Sequence, residues 1–155
     1  MKSATGKVVG VYVGAKKGEG KRAVESAELI AGSGVRDDSH AGLHPDRQIS
    51  LFESEVMREL ETEGIALSAE SLSTNLITEG INLSALGVGS RLQIGEAIIE
   101  LAEVRKPCGS LTKLDRRLPK RLYQRCGMLS RILKGGTVHP GDAVKVNLLG
   151  DSARN

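Results

Sequence analysis

A mainly β fold that closes into a barrel, with two or three short α-helices, is what the sequence predicts, and three observations predict it. Short runs rich in β-branched residues recur along the 155 residues, and 19 glycines punctuate them with turn signals. Gly87-Val88-Gly89-Ser90-Arg91-Leu92 and Val138-His139-Pro140-Gly141-Asp142-Ala143-Val144 share one pattern, a turn entering an alternating strand, which suits similar corners of a barrel. Six or more short strands leave many edges to protect, and closing the sheet removes them. The length fits one domain over residues 1–155 with a real core, and 39% hydrophobic with 26% charged residues is ordinary for a globular protein.

Lys7 to Val13 is a buried strand, followed by a Gly/Lys loop over Gly14 to Arg22. Ala23 to Ala31 fits strand or helix on periodicity alone. Gly32 to His44 is a polar loop dense in functional groups. Asp38, His40 and His44 carry metal-ligating atoms, but Gly42 and Pro45 argue against a helix presenting them together, and no C-x-x-C accompanies them, which disfavours zinc. Arg47 to Leu51 is a short strand. Glu53 to Glu63 places Val56, Met57 and Leu60 on one face of an amphipathic helix stopped by Gly64, its acidic face most simply solvated. Thr74 to Gly80 is extended. Val88 to Ile94, Gly95-Glu96 and Ala97 to Val104 form a hairpin. Leu118 to Cys126 is helical, with Pro119 in its first turn; Met128 to Leu133 and Ala143 to Leu148 are strands. Residues 149–155 are a frayed tail.

Charge is distributed unevenly. Residues 1–104 carry ten Lys/Arg against sixteen Asp/Glu, whereas residues 105–134 carry ten Lys/Arg against one acid, Asp115. A net +9 over thirty residues indicates an anionic partner or, more simply, a solvated basic face. Nothing resembles a signal peptide and no apolar run is long enough to span a bilayer. Two cysteines outside any C-x-x-C suggest free thiols in a reducing cytoplasm.

The basic run begins beside Glu103-Val104-Arg105-Lys106-Pro107-Cys108-Gly109-Ser110-Leu111-Thr112-Lys113-Leu114-Asp115. Pro107 ends the strand because it has no N–H to donate, leaving Cys108 at a strand exit. Leu111, Leu114 and Leu118 follow at helical spacing, so a helix N-terminus and the flanking Arg105, Lys106 and Lys113 would all favour the thiolate. A thiolate is a nucleophile or a soft metal ligand.

Taken together the motifs resemble the MOSC domain, the C-terminal module of molybdenum-cofactor sulfurases, in a short stand-alone form. The matching pieces run in family order: Gly34…Asp38-Ser39-His40-Ala41-Gly42, Arg47-Gln48-Ile49-Ser50-Leu51, Asn75-Leu76-Ile77-Thr78…Gly80-Ile81-Asn82-Leu83, Val88-Gly89-Ser90-Arg91-Leu92…Ile94-Gly95, Pro107-Cys108, Gly127 to Leu133, Gly135-Gly136 and Gly141-Asp142. The resemblance implies a barrel of the pyruvate-kinase-barrel type. It implies that Cys108 binds molybdenum of the cofactor, molybdopterin, or carries sulfur as a persulfide. Basic loops would hold the pterin phosphate and oxo groups, with His40, Arg47, Asn75, Arg105, Lys113, Arg116 and Arg131 as the candidates. Relatives reduce N-hydroxylated bases and amidoximes with electrons from a separate reductase. Partners would be an anionic pterin and a desulfurase, reductase or molybdopterin biosynthesis protein, since no pyridoxal-phosphate domain or iron–sulfur cysteine cluster is present in these residues.

The chain departs from the family pattern twice. Asp37-Asp38 stands where relatives have Gly-Asp, and Asp tolerates the left-handed backbone that such a turn needs. Thr74-Asn75 stands where relatives have Glu-Asn, which removes one carboxylate. Cys126 matches no family cysteine and is expected to pack. Four readings follow: a molybdenum-cofactor-binding domain, a sulfur carrier, a nucleic-acid-binding barrel, and a divergent domain that binds another oxyanion or assembles with a biosynthetic enzyme. The nucleic-acid reading is disfavoured because Tyr12, Phe52 and Tyr123 are the whole aromatic complement.

Overall fold

The computed structural model describes residues 5–16 and 20–147; the expected tail and the end of the last strand lie outside them. Its elements in chain order are β1 (Thr5–Val13), β2 (Arg22–Ala23), β3 (Ala27–Ile30), β4 (Gly34–Val35), β5 (Ile49–Glu53), α1 (Ser54–Thr62), α2 (Ala69–Leu72), β6 (Leu76–Glu79), α3 (Leu83–Leu86), β7 (Arg91–Ile94) and β8 (Ala97–Val104). A 3₁₀ turn (Gly109–Lys113), α4 (Leu118–Arg121), β9 (Met128–Lys134), β10 (Gly136–Val138) and β11 (Ala143–Val146) complete them.

The order β11-β7-β8-β9-β5-β6-β1 closes on itself because β1 also pairs antiparallel with β11, Gly6 facing Val144. Every pairing around this ring is antiparallel except β5 with β6. The segment left open between Ala23 and Ala31 is the strand β3, which with β4 and β10 makes a separate three-stranded sheet. The expected hairpin forms as β7 and β8, with Ile94 opposite Ala97.

Strand alternation builds two cores. Ile49 and Leu51 of β5 and Leu76 of β6 point into the barrel with Val8, Leu92, Ile99 and Ile132. Phe52 and Ile77, one residue on, point outward into a second cluster with Val56, Leu60, Leu72, Leu118, Leu122 and Cys126. β5 is therefore buried on both faces, Ser50 included, from Ile49 to Phe52.

The helices differ from expectation. α1 forms as predicted, but the described residues hold four α-helices rather than two or three, three of them single turns. The segment Leu118 to Cys126 is helical only to Arg121, because Gln124 adopts a left-handed conformation (φ 62°) and the chain turns to bury Cys126. The stretch after Cys108 is a five-residue 3₁₀ turn that buries Leu111 and leaves Leu114 half exposed. Asp37 does adopt the left-handed backbone expected of it, at φ 66°. No helix among the described residues is long and apolar enough to cross a membrane.

Candidate functional site

A cleft of about 240 Å³ opens where the polar loop before β5, the start of β6 and the exit of β8 meet, lined by His40, Arg47, Ser50, Ser73, Asn75, Arg105 and Leu129. Arg105 is held there by its backbone, whose N–H donates to the Gly127 carbonyl at 3.0 Å, and by its side chain, whose Nη2 donates to the Leu72 carbonyl at 2.7 Å. Its Nη1 is buried with no partner. Burial pushes the Arg105 pKa down, against the nearby Cys126 and Cys108, which raise it. A cation with an orphaned donor and no facing carboxylate is an energetic liability unless something anionic completes it.

Asn75 lies in the cleft wall but is spoken for. Its Oδ1 accepts from the Ser50 N–H (3.1 Å) and hydroxyl (3.2 Å), and its Nδ2 donates to the Tyr12 carbonyl (3.1 Å) and to Asp38 Oδ1 (3.4 Å). It is a tie-beam that fixes the strand exits. Arg47 lines the cleft yet meets Glu103 through Nε (3.2 Å) and Nη2 (3.1 Å).

His40 is set by a residue the sequence did not flag. Lys21, 4% exposed, sends its ammonium to Asp38 Oδ1 at 2.8 Å and to His40 Nδ1 at 3.2 Å. Burial works to raise the Asp38 pKa, but the adjoining His40, whose backbone N–H donates to Oδ2 at 3.2 Å, the Gly14 N–H and Lys21 hold it well below the usual carboxylate range. No local pattern marks Lys21, because its partners lie 17 and 19 residues away. Asp38 belongs to this ion pair, and His44 accepts the Asp46 N–H through Nδ1, so neither joins His40 in a metal set; no metal-holding cluster exists among the described residues.

Cys108 is exposed at the mouth of the 3₁₀ turn. Its thiol pKa is lowered first by the Ser110 hydroxyl, which donates to Sγ at 3.1 Å, then by the Ser110 N–H and the charge of Arg105. Ser110 belongs to the 3₁₀ turn that Cys108 precedes, which stands where an α-helix was expected. Burial pushes the Cys126 thiol up, so it packs as expected.

The remaining candidates separate. Arg131 sits outside the cleft lining, engaged by Glu100 and Asp46. Lys113 and Arg116 are exposed and make no ion pair among the described residues. Thr74, where a carboxylate was expected in relatives, is fully buried with an unpartnered hydroxyl. Ser50 and Ser73 also line the cleft. Ser50 lies inside the Arg47–Leu51 motif, but Ser73 carries no signal beyond a left-handed backbone (φ 60°) seen only in three dimensions.

A family model of the MOSC domain matches residues 37–145. The chain belongs to the MOSC domain family. That span includes the cleft residues and Cys108, and it excludes Lys21. Among solved structures, this MOSC chain resembles the YuaD protein from Bacillus subtilis at 22% identity and TM-score 0.84, covering 94% of this chain and 97% of that one. It also resembles YiiM from Geobacillus stearothermophilus (22% identity, 91% and 74% covered, TM-score 0.74) and YiiM from Escherichia coli (22%, 94% and 69%, 0.68). At such identities the likeness establishes the fold alone. No curated protein sequence matches the chain. The MOSC family is associated with the molybdenum cofactor.

Proposed function

We propose that this MOSC protein binds the molybdenum cofactor with Cys108 as the metal ligand. It would act in cofactor handling or in reduction of N-hydroxylated compounds with a separate electron donor. One observation carries the reading: the buried, carboxylate-free guanidinium of Arg105 lines the cleft while its charge also bears on the Cys108 thiol. A soft thiolate and an orphaned cationic donor are the groups that a phosphate-bearing molybdenum pterin needs, so the residues fit it.

The Arg105 guanidinium would hold an anionic oxygen, with Arg47, the Ser73 hydroxyl and His40 as further donors from the cleft wall. Asn75 orients the wall and touches no ligand. Ser110 favours the thiolate form of Cys108. When bound, the molybdenum centre supplies two-electron redox chemistry. Lys113 and Arg116 would draw an anionic group toward Cys108.

The test is metal analysis with a fluorescence assay for oxidised pterin, on protein from a cofactor-competent host. Wild type should carry near-stoichiometric molybdenum and pterin, and Cys108→Ser should lose the molybdenum. Equal molybdenum in both would overturn the assignment.

A second reading rests on the exposure of Cys108 and its position outside the cleft lining. An exposed low-pKa thiolate can take the outer sulfur of a desulfurase persulfide, forming a Cys108 persulfide and releasing the desulfurase thiolate. Mass spectrometry after incubation with a cysteine desulfurase and cysteine should then show one added sulfur on Cys108, and an unmodified Cys108 would exclude this reading.

A further inference from the structure

We propose that Lys21 is a positioning residue that fixes the tautomer of His40, so that the ring offers the cleft an N–H donor and no acceptor. The inference deepens the anion-binding reading of the cleft and rests on it for its functional meaning. Three distances carry it. Lys21 Nζ is 3.2 Å from His40 Nδ1 and 2.8 Å from Asp38 Oδ1, while His40 Nδ1 is 3.5 Å from Asp38 Oδ2. A lysine ammonium has only N–H groups to give, so at the shorter contact Nδ1 must accept, and the ring proton resides on Nε2. The side chains of Lys21 and Asp38 are 2% and 1% exposed, and Asp38 is further held by the Gly14 N–H at 3.0 Å. The pair is thus locked. The His40 side chain is 46% exposed and lines the cleft, so Nε2–H is the group left for a ligand.

With Asn75 saturated internally, the cleft then offers the Nε2–H of His40 and the guanidinium groups of Arg105 and Arg47. That set selects for anions and against ligands that must donate. Lys21 never touches the ligand. It acts through one hydrogen bond to the histidine, and it also occupies the acceptor that Nδ1 would otherwise seek. Remove the ammonium and the Asp38 carboxylate becomes the natural acceptor for an Nδ1–H.

The experiment is a long-range ¹H–¹⁵N correlation spectrum of histidine-labelled full-length protein. Only three histidines are present, and His40→Asn assigns the signal. Wild type should show His40 protonated on Nε2 alone, Lys21→Arg should keep that pattern, and Lys21→Met should flip it to Nδ1–H. A wild-type Nδ1–H tautomer, or an unchanged spectrum in folded Lys21→Met, overturns the proposal. Because Lys21→Met strands a buried carboxylate, the pair Lys21→Met/Asp38→Asn provides a neutral replacement in which the single-tautomer pattern should be lost; its retention would equally overturn the proposal. Inorganic phosphate is the probe for function. Its dissociation constant should rise on the order of tenfold in the variants that flip the tautomer, about one charge-assisted hydrogen bond. A flipped tautomer with unchanged phosphate binding would overturn the positioning role in the cleft. Failure of wild type itself to bind phosphate would instead count against the anion reading, with the tautomer result standing separately.

Discussion

At Gly127 the chain turns into β9 with φ 86°, and a Cβ would lie 2.0 Å from the Leu51 carbonyl oxygen. Backbone cannot yield there as a flexible side chain would. Gly127→Ala should therefore cost roughly 3 kcal/mol or more, read as a lowered urea midpoint. Because the Gly127 carbonyl also accepts the Arg105 N–H, that variant should loosen the cleft as well. Arg105 itself predicts the opposite sign. Replacing a largely desolvated cation that faces no carboxylate by Met removes a desolvation cost that offsets the lost bond to the Leu72 carbonyl, so Arg105→Met should keep stability within about 1 kcal/mol of wild type or raise it. The same variant should lose phosphate binding and cofactor retention. A residue that destabilises the empty protein and is needed by the ligand is placed for function.

The elements around the barrel explain where the basic run goes. Arg121 and Arg125 pair with Glu63 and Glu59 at the end of and within α1, and Arg117 pairs with Asp115. The acidic face of α1, expected to be solvated, is thus partly covered by the basic segment, and about half of that segment is neutralised within the fold. These pairs are a third to a half exposed, so Glu63→Gln should change stability by less than about 1 kcal/mol, and added salt should erase most of that. What holds the layer is apolar. Phe52, fully buried between α1 and the outer wall of the barrel, should cost roughly 3–5 kcal/mol when cut to Ala. Arg105, Lys106, Lys113, Arg116, Lys120 and Lys134 of that segment make no ion pair among the described residues, and they lie on both sides of Cys108 in the chain. Phe52 is buried and Tyr12 half-buried, which leaves only Tyr123 as an exposed aromatic and gives single-stranded nucleic acid little to stack on.

Over the whole molecule, acid stability should follow the carboxylates that the fold has paired. Asp38 is held well below its usual range by its hydrogen bonds and Lys21 against the opposing effect of burial. Glu100 is lowered chiefly by hydrogen bonding to Arg131. A carboxylate with a depressed folded-state pKa stabilises fully above its unfolded value and loses that contribution as pH falls through the folded one. The urea midpoint should thus be flat from neutrality to about pH 5 and fall steadily below about pH 4. Asp38→Asn should start lower at pH 7 and show a shallower acid limb. An equal slope in both would remove Asp38 from this role.

The sequence by itself determined the barrel, α1, the β7–β8 hairpin, the left-handed turn at Asp37 and the cysteine at a strand exit. These depend on period-two patterning, turn chemistry and proline stereochemistry, all of which act within a few residues. Tertiary structure decided which polar groups meet. Arg105 emerged among ten cations only because the barrel buried it without a carboxylate, while Arg131 was claimed by Glu100 and Asp46. Lys21 joined Asp38 and His40 only when the residue preceding β2 met the loop between β4 and β5. Helix extent after Cys108 was decided the same way, by Leu111, Leu122 and Cys126 seeking the outer core at the expense of regular turns. Local pattern specifies how a backbone runs. Charge pairing across a fold follows from distances that no stretch of sequence contains.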